Sequence, residues 1–296
     1  MTETETIKEK GDADELCLKV VNLTKKFGEL IAVNQANFEV KKGEILGIIG
    51  PNGSGKTTIF NLLSGVLKPD GGAIYAKRVR RDLSPVSQII KKLKRLFNRD
   101  NTYLETEEAT KFENITGLRT DKIVNQFGLV RTFQIVKPFK LLTAENNLIV
   151  PYVPKQPISK PSSIKNAAVS SLLAVDLGEK KNYPAFILPH GDLKRLDIAR
   201  SMACDPQILL LDEPFSGLSA EDSFRVTQLI KNANEEFGLS IILVEHKLKL
   251  LSNLVSKIIV LDQGSVIAIG TPEEISKNAL VISSYLGKEA SLIVKS

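Results

Sequence analysis

The chain has 296 residues, a hydrophobic fraction of 43% and a formal net charge of +6, which together predict a folded chain of about two average domains. No run of about 18 apolar residues occurs, and the first residues are acids and lysines where a signal peptide would be apolar, so neither a membrane span nor secretion is expected. Two cysteines and two histidines exclude a disulfide framework and a multi-histidine metal site, and they fit a reducing cytosol.

The N-terminal third begins with residues 1–15, which are predicted to be a mobile charged tail. Strands are predicted in LCLKVVNL and ANFEV, and the apolar strand EILGIIG precedes a helix rich in Ile, Leu and Phe. Residues 77–99 then contain nine Lys and Arg residues and only one acidic residue. Within this basic block, Ser84 and Pro85 predict the start of an amphipathic helix with an apolar and a cationic face.

Prolines become frequent between residues 135 and 189, where SSIKNAAVSSLLAVDLG predicts helices of a small inserted subdomain. The apolar segments ILLLDEP and SIILVEH then predict strands of an α/β core. The C-terminal part is predicted to contain the strands KIIVLD and SVIAIG, which are joined by a turn at Gln263 and Gly264. A capping box from Thr271 to Glu274 predicts the next helix.

The segment GPNGSGKT fits the phosphate-binding loop (P-loop) pattern G-x-x-x-x-G-K-[ST] between an apolar strand and a helix. In such a loop, backbone N–H groups close around the β-phosphate, the lysine interacts with the β- and γ-oxygens, and the threonine hydroxyl is suited to ligate Mg²⁺. An ordinary glycine turn is the alternative, which the flanking elements disfavour. The residues predicted to bind the nucleotide here are Gly50, Pro51, Asn52, Gly53, Ser54, Gly55, Lys56, Thr57 and Thr58.

Two carboxylates, Asp212 and Glu213, end the buried strand ILLL, where α/β sheets place ligand groups. We expect Asp212 to hold Mg²⁺ through water and Glu213 to orient or deprotonate an attacking water; two solvated acids are the alternative. His246 follows the strand SIILVE and is expected at the same edge, where a neutral imidazole can donate to a γ-phosphate. A purely structural histidine is the alternative there.

With these motifs, residues 16–270 resemble the nucleotide-binding subunits of ABC transporters, and more narrowly the ATPases of branched-chain amino acid uptake. The narrower resemblance depends on three segments: GLVRTFQ with VKPFKLLTAENNL at 128–148, LPHGDLKRLDIAR at 188–200, and VEHKLKLLSNLVSKIIVLDQGSVIAIGTPEEI continuing to SSYLG at 283–287.

The resemblance implies further roles. Gln134 matches the glutamine that contacts Mg²⁺ and the water site, so the implied Mg²⁺ ligands are Thr57, Gln134 and Asp212, and the implied catalytic residues are Glu213, His246, Gln134 and Lys56. Phe27 matches the aromatic residue that stacks on adenine, although a packed core phenylalanine is the alternative. The segment from Phe139 to Leu148 would receive the coupling helix of a transmembrane partner.

The family signature LSGGQ, which caps ATP held by the opposite subunit, is replaced here by Leu188, Pro189, His190, Gly191 and Asp192. Pro189 removes a hydroxyl and an N–H, whereas Gly191 keeps a flexible backbone donor. Ser219 also stands where the family has Asp. Because the signature acts on the partner's nucleotide, these departures predict an asymmetric heterodimer with a distinct homologous ATPase.

The resemblance implies an α/β fold, with a P-loop (RecA-like) ATPase core, an antiparallel β-subdomain and an inserted α-helical subdomain. The predicted division is a tail at 1–15 and an ABC ATPase domain at 16–296, comprising the β-lobe and core at 16–76 and 190–262, a basic arm at 77–115, the helical subdomain at 135–189 and a C-terminal extension at 263–296.

The implied function is ATP hydrolysis, with Mg²⁺, that drives import of branched-chain or other hydrophobic amino acids through a membrane permease served by an external solute-binding protein. The subunit would be peripheral, on the cytoplasmic face of the membrane. Urea or another solute is the nearest alternative. A non-transport ABC ATPase acting on nucleic acid or ribosomes, and a regulatory module without turnover, are less favoured, so no nucleic acid partner is expected. The basic arm could dock on its own domain, on anionic lipid or on a partner.

Overall fold

The structure, a computed structural model, describes residues 16–79, 112–152, 161–246 and 248–284. The predicted N-terminal tail and the predicted amphipathic helix of the basic arm lie outside the described residues. The chain divides into two compact units, which are described separately. Of the described residues, the first unit comprises 16–78, 112–127, 240–246 and 248–284, and the second comprises residue 79, 128–152 and 161–239.

The strands and helices are defined here in chain order. The strands are β1 (Leu16–Phe27), β2 (Leu30–Lys41), β3 (Ile45–Ile49), β4 (Gly71–Lys77), β5 (Phe112–Asn114), β6 (Leu129–Arg131), β7 (Ile208–Asp212), β8 (Ser240–Glu245), β9 (Lys257–Asp262) and β10 (Ser265–Gly270). The helices are α1 (Lys56–Leu63), α2 (Thr120–Phe127), α3 (Ala144–Ile149), α4 (Pro161–Ala174), α5 (His190–Met202), α6 (Ala220–Phe237), α7 (Leu248–Leu251) and α8 (Pro272–Lys277). Short 3₁₀ helices occupy Val150–Tyr152, Gly178–Lys180 and Ala185–Ile187.

The first unit contains an antiparallel sheet with the strand order β2-β1-β4-β5. It also contains β3 between β8 and β9, all three parallel, with β10 antiparallel to β9. Every residue of β3 and of β8 is buried, as continuous apolar runs predict for parallel strands covered on both faces. The P-loop therefore begins directly after a fully buried strand, β3.

Helix α1 follows the P-loop and packs into the first unit through one face, formed by Ile59, Phe60, Leu62 and Leu63. Its N-cap, Gly55, has φ of 101°, and no side chain caps the helix. The first turn of a helix leaves its N–H groups without intrahelical acceptors, so this N-terminus is suited to an anion.

The second unit pairs β6 with β7 in parallel, with Val130 opposite Leu209. All five residues of β7 are buried, including Asp212 at its C-terminal end. Helix α5 packs against α3, α4 and α6. Ser219 caps α6 by accepting from the Asp222 N–H, and Gly238 ends it with φ of 64°.

The predicted fold class is confirmed, as are two local predictions in the C-terminal part. Gln263 and Gly264 form the turn between β9 and β10 with φ of 46° and 81°, and the Thr271 capping box opens α8 with both of its hydrogen bonds. The division of the domain at residues 190 and 262 stays a prediction. Residues 128–239 form one compact unit, because α5 packs on the helices before it and after it.

Candidate active site

The P-loop lysine is folded against its own loop. Lys56 is 6% exposed, and its Nζ donates to the carbonyl oxygens of Gly50 at 2.7 Å and Pro51 at 2.8 Å. These bonds offset the cost of burying an ammonium and hold it on the inner side of the loop. The loop therefore presents a fixed positive charge next to the start of α1.

Two glycines of the loop allow backbone approaches that no side chain would permit. A Cβ on Gly50 would lie 2.2 Å from the Leu261 carbonyl oxygen, and one on Gly55 would lie 2.3 Å from that of Ala32. The loop is also braced by Gly264, whose N–H donates to the Ser54 carbonyl at 3.1 Å and whose carbonyl accepts from Asn34 N–H at 2.8 Å. The strand β2 and the β9–β10 turn thus shape the loop from outside.

The residues present fit a phosphate group. Ser54 Oγ is buried and has no hydrogen-bond partner among the described residues, and the first N–H groups of α1 lack intrahelical acceptors. Buried unsatisfied donors are costly and call for a ligand with several acceptor oxygens. Thr57 is exposed on the first turn of α1, where its hydroxyl is accessible to a metal ion.

His246 and Phe27 also belong to the first unit. The β3–β8 register places Ile49 opposite Glu245. Gly50, which follows β3, and His246, which follows β8, therefore lie at the same edge of the sheet. The imidazole is 43% exposed, with Nδ1 3.7 Å from the buried Glu245 carboxylate. Phe27 ends β1 and is 48% exposed, with Lys25 Nζ 5.6 Å from its ring centroid, so it is not a core residue.

In the second unit, Asp212 is paired with a residue that the sequence did not identify. Arg131 Nη2 donates to Asp212 Oδ2 at 2.6 Å, and the two side chains are 6% and 3% exposed. The pair follows from strand register, because β6 and β7 run in parallel with Arg131 opposite Leu210. The guanidinium also lies 5.2 Å from the exposed ring of Phe133.

The structure brings together two of the predicted catalytic residues. Gln134 Nε2 donates to Glu213 Oε2 at 2.8 Å. Glu213 has φ of 45°, a left-handed conformation that costs a non-glycine residue about 1–2 kcal/mol. Its carbonyl oxygen accepts from Ser216 N–H at 3.2 Å, so a tight turn holds the residue in place.

The five residues at the signature position differ in exposure. Pro189 and His190 are exposed at the start of α5, and His190 Nε2 lies 3.3 Å from the Ser216 carbonyl oxygen. Leu188 is 6% exposed and Asp192 is 4% exposed. The Asp192 carboxylate accepts from Lys180 and Arg195, so it faces the interior of its unit.

Gly191 permits a close approach between two helices. A Cβ at this position would lie 2.4 Å from Asp222 Cγ, at the start of α6. The sequence assigned Gly191 only a backbone donor role; the contact adds a packing reason for glycine. Near this part of the unit, Asp176 Oδ2 pairs with Arg195 and Arg225, which fixes the loop before α5 to both helices.

Comparisons with known proteins identify the family. The family model for the ABC transporter matches residues 33–216. The chain belongs to the ABC transporter family. A second model, for the branched-chain amino acid ATP-binding cassette transporter, matches residues 265–291.

Individual ABC proteins match over most of the chain. The high-affinity branched-chain amino acid transport ATP-binding protein BraF of Pseudomonas aeruginosa is 36% identical over 284 residues, 92% of this chain and 98% of BraF. The ADP conformation of MJ1267, an ATP-binding cassette of an ABC transporter, has a TM-score of 0.73 at 25% identity over 92% of this chain and 99% of that one. The dimeric cassette MJ0796 has a TM-score of 0.65 at 26% identity over 86% and 98%. As an ABC ATPase cassette, this chain binds nucleotide.

The segment Phe139–Leu148, which is expected to receive the coupling helix of a transmembrane partner, is organised by one buried amide. Asn147 is fully buried; its Oδ1 accepts from Phe139 N–H at 2.9 Å, and its Nδ2 donates to the carbonyls of Phe139, Leu142 and Thr143. Leu141, in the same segment, is 87% exposed. No sequence pattern marks Asn147, because its partners are backbone groups.

Two features are absent from the described residues. No helix among them is both long enough and apolar enough to cross a bilayer. Over the same ranges, no group of three or more His, Cys, Asp or Glu side chains could hold a metal ion.

Proposed function

We propose that this chain is the ATP-hydrolysing subunit of an importer for branched-chain or other hydrophobic amino acids. The observation that carries the proposal is the match of residues 265–291 to the branched-chain amino acid cassette model. The name of BraF points to the same cargo, and the phosphate-compatible P-loop supports the chemistry.

We assign the nucleotide phosphates to the P-loop, with Lys56 and the first N–H groups of α1 as donors. Glu213 orients or deprotonates the attacking water, and Gln134 positions Glu213 through the 2.8 Å bond between their side chains. His246 donates to the γ-phosphate, and Phe27 stacks on adenine through its exposed ring. Thr57, Gln134 and, through water, Asp212 would hold Mg²⁺, which when bound neutralises charge on the β- and γ-phosphates.

The proposed partners are a transmembrane permease and a second, distinct ABC ATPase. The exposed Leu141 and Phe139 support the assignment of Phe139–Leu148 to the permease contact. Pro189, His190 and Gly191 would act on the nucleotide of the second ATPase, while the buried Asp192 would support the helix behind them. This arrangement implies a peripheral subunit on the cytoplasmic face of the membrane, with the domain boundaries predicted above.

Binding and turnover of ATP by the purified full chain test the chemistry. We expect a fluorescent ATP analogue to bind the wild type, and Lys56→Ala to weaken that binding at least about tenfold because the loop loses its charge. Lys122→Ala, which removes an exposed lysine from α2, is the matched control. Equal affinities of the two variants would contradict the role of Lys56.

Transport tests the cargo. Co-purification with the permease, followed by reconstitution into vesicles, should give ATP-dependent uptake of radiolabelled leucine. Uptake of urea without leucine would replace the proposed cargo. The heterodimer is tested by comparing Glu213→Gln with the equivalent change in the partner: unequal losses of ATP turnover are expected, and equal losses would contradict asymmetry.

A further inference from the structure

Lys194 connects three motifs of the second unit through a single buried ammonium. It lies on α5, the helix that begins at the signature segment, and is 4% exposed. Its Nζ donates to the Gln134 carbonyl oxygen at 2.9 Å and to the Glu213 carbonyl oxygen at 3.2 Å. The two carbonyls belong to the residues whose side chains also bond to each other.

Such burial is unusual for lysine, and the acceptors of Lys194 are main-chain carbonyls, so its bonds hold backbone segments in place. A lysine is rarely buried unless its charge is satisfied, because desolvation of the ammonium is costly. Charge-assisted bonds to two carbonyls offset that cost and fix the backbone that carries them. The ammonium thus acts on the position of Gln134 and Glu213 and leaves their side chains available to each other.

The backbone at Glu213 needs such support. Its φ of 45° is strained for a residue with a Cβ, and strained residues persist only where surrounding contacts hold them. Ser216 N–H and Lys194 Nζ are two donors to the Glu213 carbonyl oxygen. Without Lys194, the Glu213 carbonyl oxygen loses one of these donors, and the Gln134 carbonyl oxygen loses its bond to Lys194. The 2.8 Å bond between the two side chains then joins residues whose backbones are no longer held by the same ammonium.

We propose that Lys194 is a positioning residue that connects α5 to the Gln134–Glu213 pair. The inference rests on the proposed function, because it assigns to Lys194 a role in the water-activating step. Since His190 and Gly191 lie on the same helix one turn earlier, a shift of α5 when the signature engages a partner moves Lys194 Nζ and with it both carbonyls. The helix thereby transmits the state of the signature to the catalytic carboxylate.

The alternative role is purely structural. Lys194 also lowers the pKa of the Asp197 carboxyl, as Arg200 does, although burial has the larger effect and raises that pKa overall. A lysine that served only as a counter-ion to Asp197 would affect stability without affecting turnover. The experiment therefore needs a readout beyond stability.

The test compares Lys194→Met with two controls in the full chain. Lys165→Met removes an exposed lysine from α4, and Asp197→Asn removes the carboxylate beside Lys194 while leaving both carbonyls in place. For Lys194→Met we expect kcat for ATP to fall at least about tenfold, with KM and the affinity for a fluorescent ATP analogue within about twofold of wild type. Both controls should keep kcat within about twofold, and Lys194→Arg should recover part of the loss.

A second comparison places the effect at Glu213. In a Glu213→Gln background, Lys194→Met should cause no further loss, because residues that act as a unit are not additive. If Lys194→Met does not fold, Lys194→Gln, which keeps a neutral donor, takes its place with the same expectation. Turnover equal to that of Lys165→Met, or a further full loss in the Glu213→Gln background, would overturn the inference. A wild-type chain that binds nucleotide without hydrolysing it would overturn the proposed function itself.

Discussion

The carboxylate of Asp212 and the guanidinium of Arg131 form a buried ion pair with 2.6 Å between Oδ2 and Nη2. The pair joins the last residue of β7 to the last residue of β6. Burying two charges is costly, and it is offset only while both partners are present. Arg131 is therefore required to compensate the buried Asp212 carboxylate and to hold it in place.

Replacing Arg131 by Met should destabilise the chain by about 3–5 kcal/mol, because Asp212 would be left as an uncompensated buried charge. Denaturant unfolding at pH 7 measures the loss. The double change Arg131→Met with Asp212→Leu should recover most of it, since a packed apolar pair needs no counter-ion. Arg225→Met, at a pair that is 42% exposed on the arginine side, should cost less than about 1 kcal/mol. Equal losses for Arg131→Met and Arg225→Met would contradict this account.

The left-handed φ of 45° at Glu213 predicts that two variants with the same loss of activity differ in stability. Glu213→Ala and Glu213→Gly both remove the carboxylate, so both should reduce ATP hydrolysis at least about a hundredfold. Glycine, however, adopts this φ without strain, so the Gly variant should be the more stable by about 1 kcal/mol. Thermal unfolding of the two proteins side by side checks the difference. An Ala variant as stable as the Gly variant would show that no strain is held there.

The contact between Gly191 and Asp222 predicts a coupling between helices α5 and α6. Gly191→Ala would place a Cβ 2.4 Å from Asp222 Cγ and should cost about 1–3 kcal/mol of stability. Asp222→Ala removes the obstructing atom, so the double variant should lose less than the sum of the single losses. Gly71→Ala, whose Cβ would meet its nearest atom at 3.6 Å, is the control and should be nearly neutral. Strict additivity in the double variant would argue against the contact.

The two cysteines should differ in reactivity. Burial raises the pKa of Cys17 to about 11, against a hydrogen bond with Ser240 that lowers it, whereas Cys204 is partly exposed. Because the thiolate is the reactive form, an aromatic disulfide reagent at pH 8 should label one thiol quickly in the native chain and the second only after denaturation. Cys204→Ser should abolish the fast phase and Cys17→Ser should keep it. Two fast thiols in the native chain would contradict the burial of Cys17.

The sequence predicted the elements whose signals are local. The P-loop, the apolar strand before Asp212, the turn at Gln263 and the capping box at Thr271 depend on residues close together in the chain, and their patterns fix backbone conformation directly. The compact units were harder to predict. Their limits depend on which helices pack on α5, and amphipathic patterns do not specify a partner.

Contacts that depend on distant register or on backbone acceptors were not predicted. Arg131 looked like an ordinary residue of RTFQ, because its partner is 81 positions away. The burial of Lys194 was not predicted, because both of its described acceptors are carbonyls, which no side-chain pattern marks. Asp192 was assigned to the signature segment, but its ion pairs with Arg195 and Lys180 were not predicted. In each case the sequence did not show which groups the fold would bring next to the side chain.

The brace that Gly264 provides for the P-loop bears on the order in which the protein is made. The ribosome synthesises GPNGSGKT early, but the N–H that meets the Ser54 carbonyl belongs to residue 264, near the end of the chain. A nascent chain that stops before this residue carries the whole motif and lacks one of its supports. The loop therefore acquires this support only after residue 264 has been synthesised and has paired with Ser54, a contact between residues distant in sequence that forms only after the intervening chain has folded back.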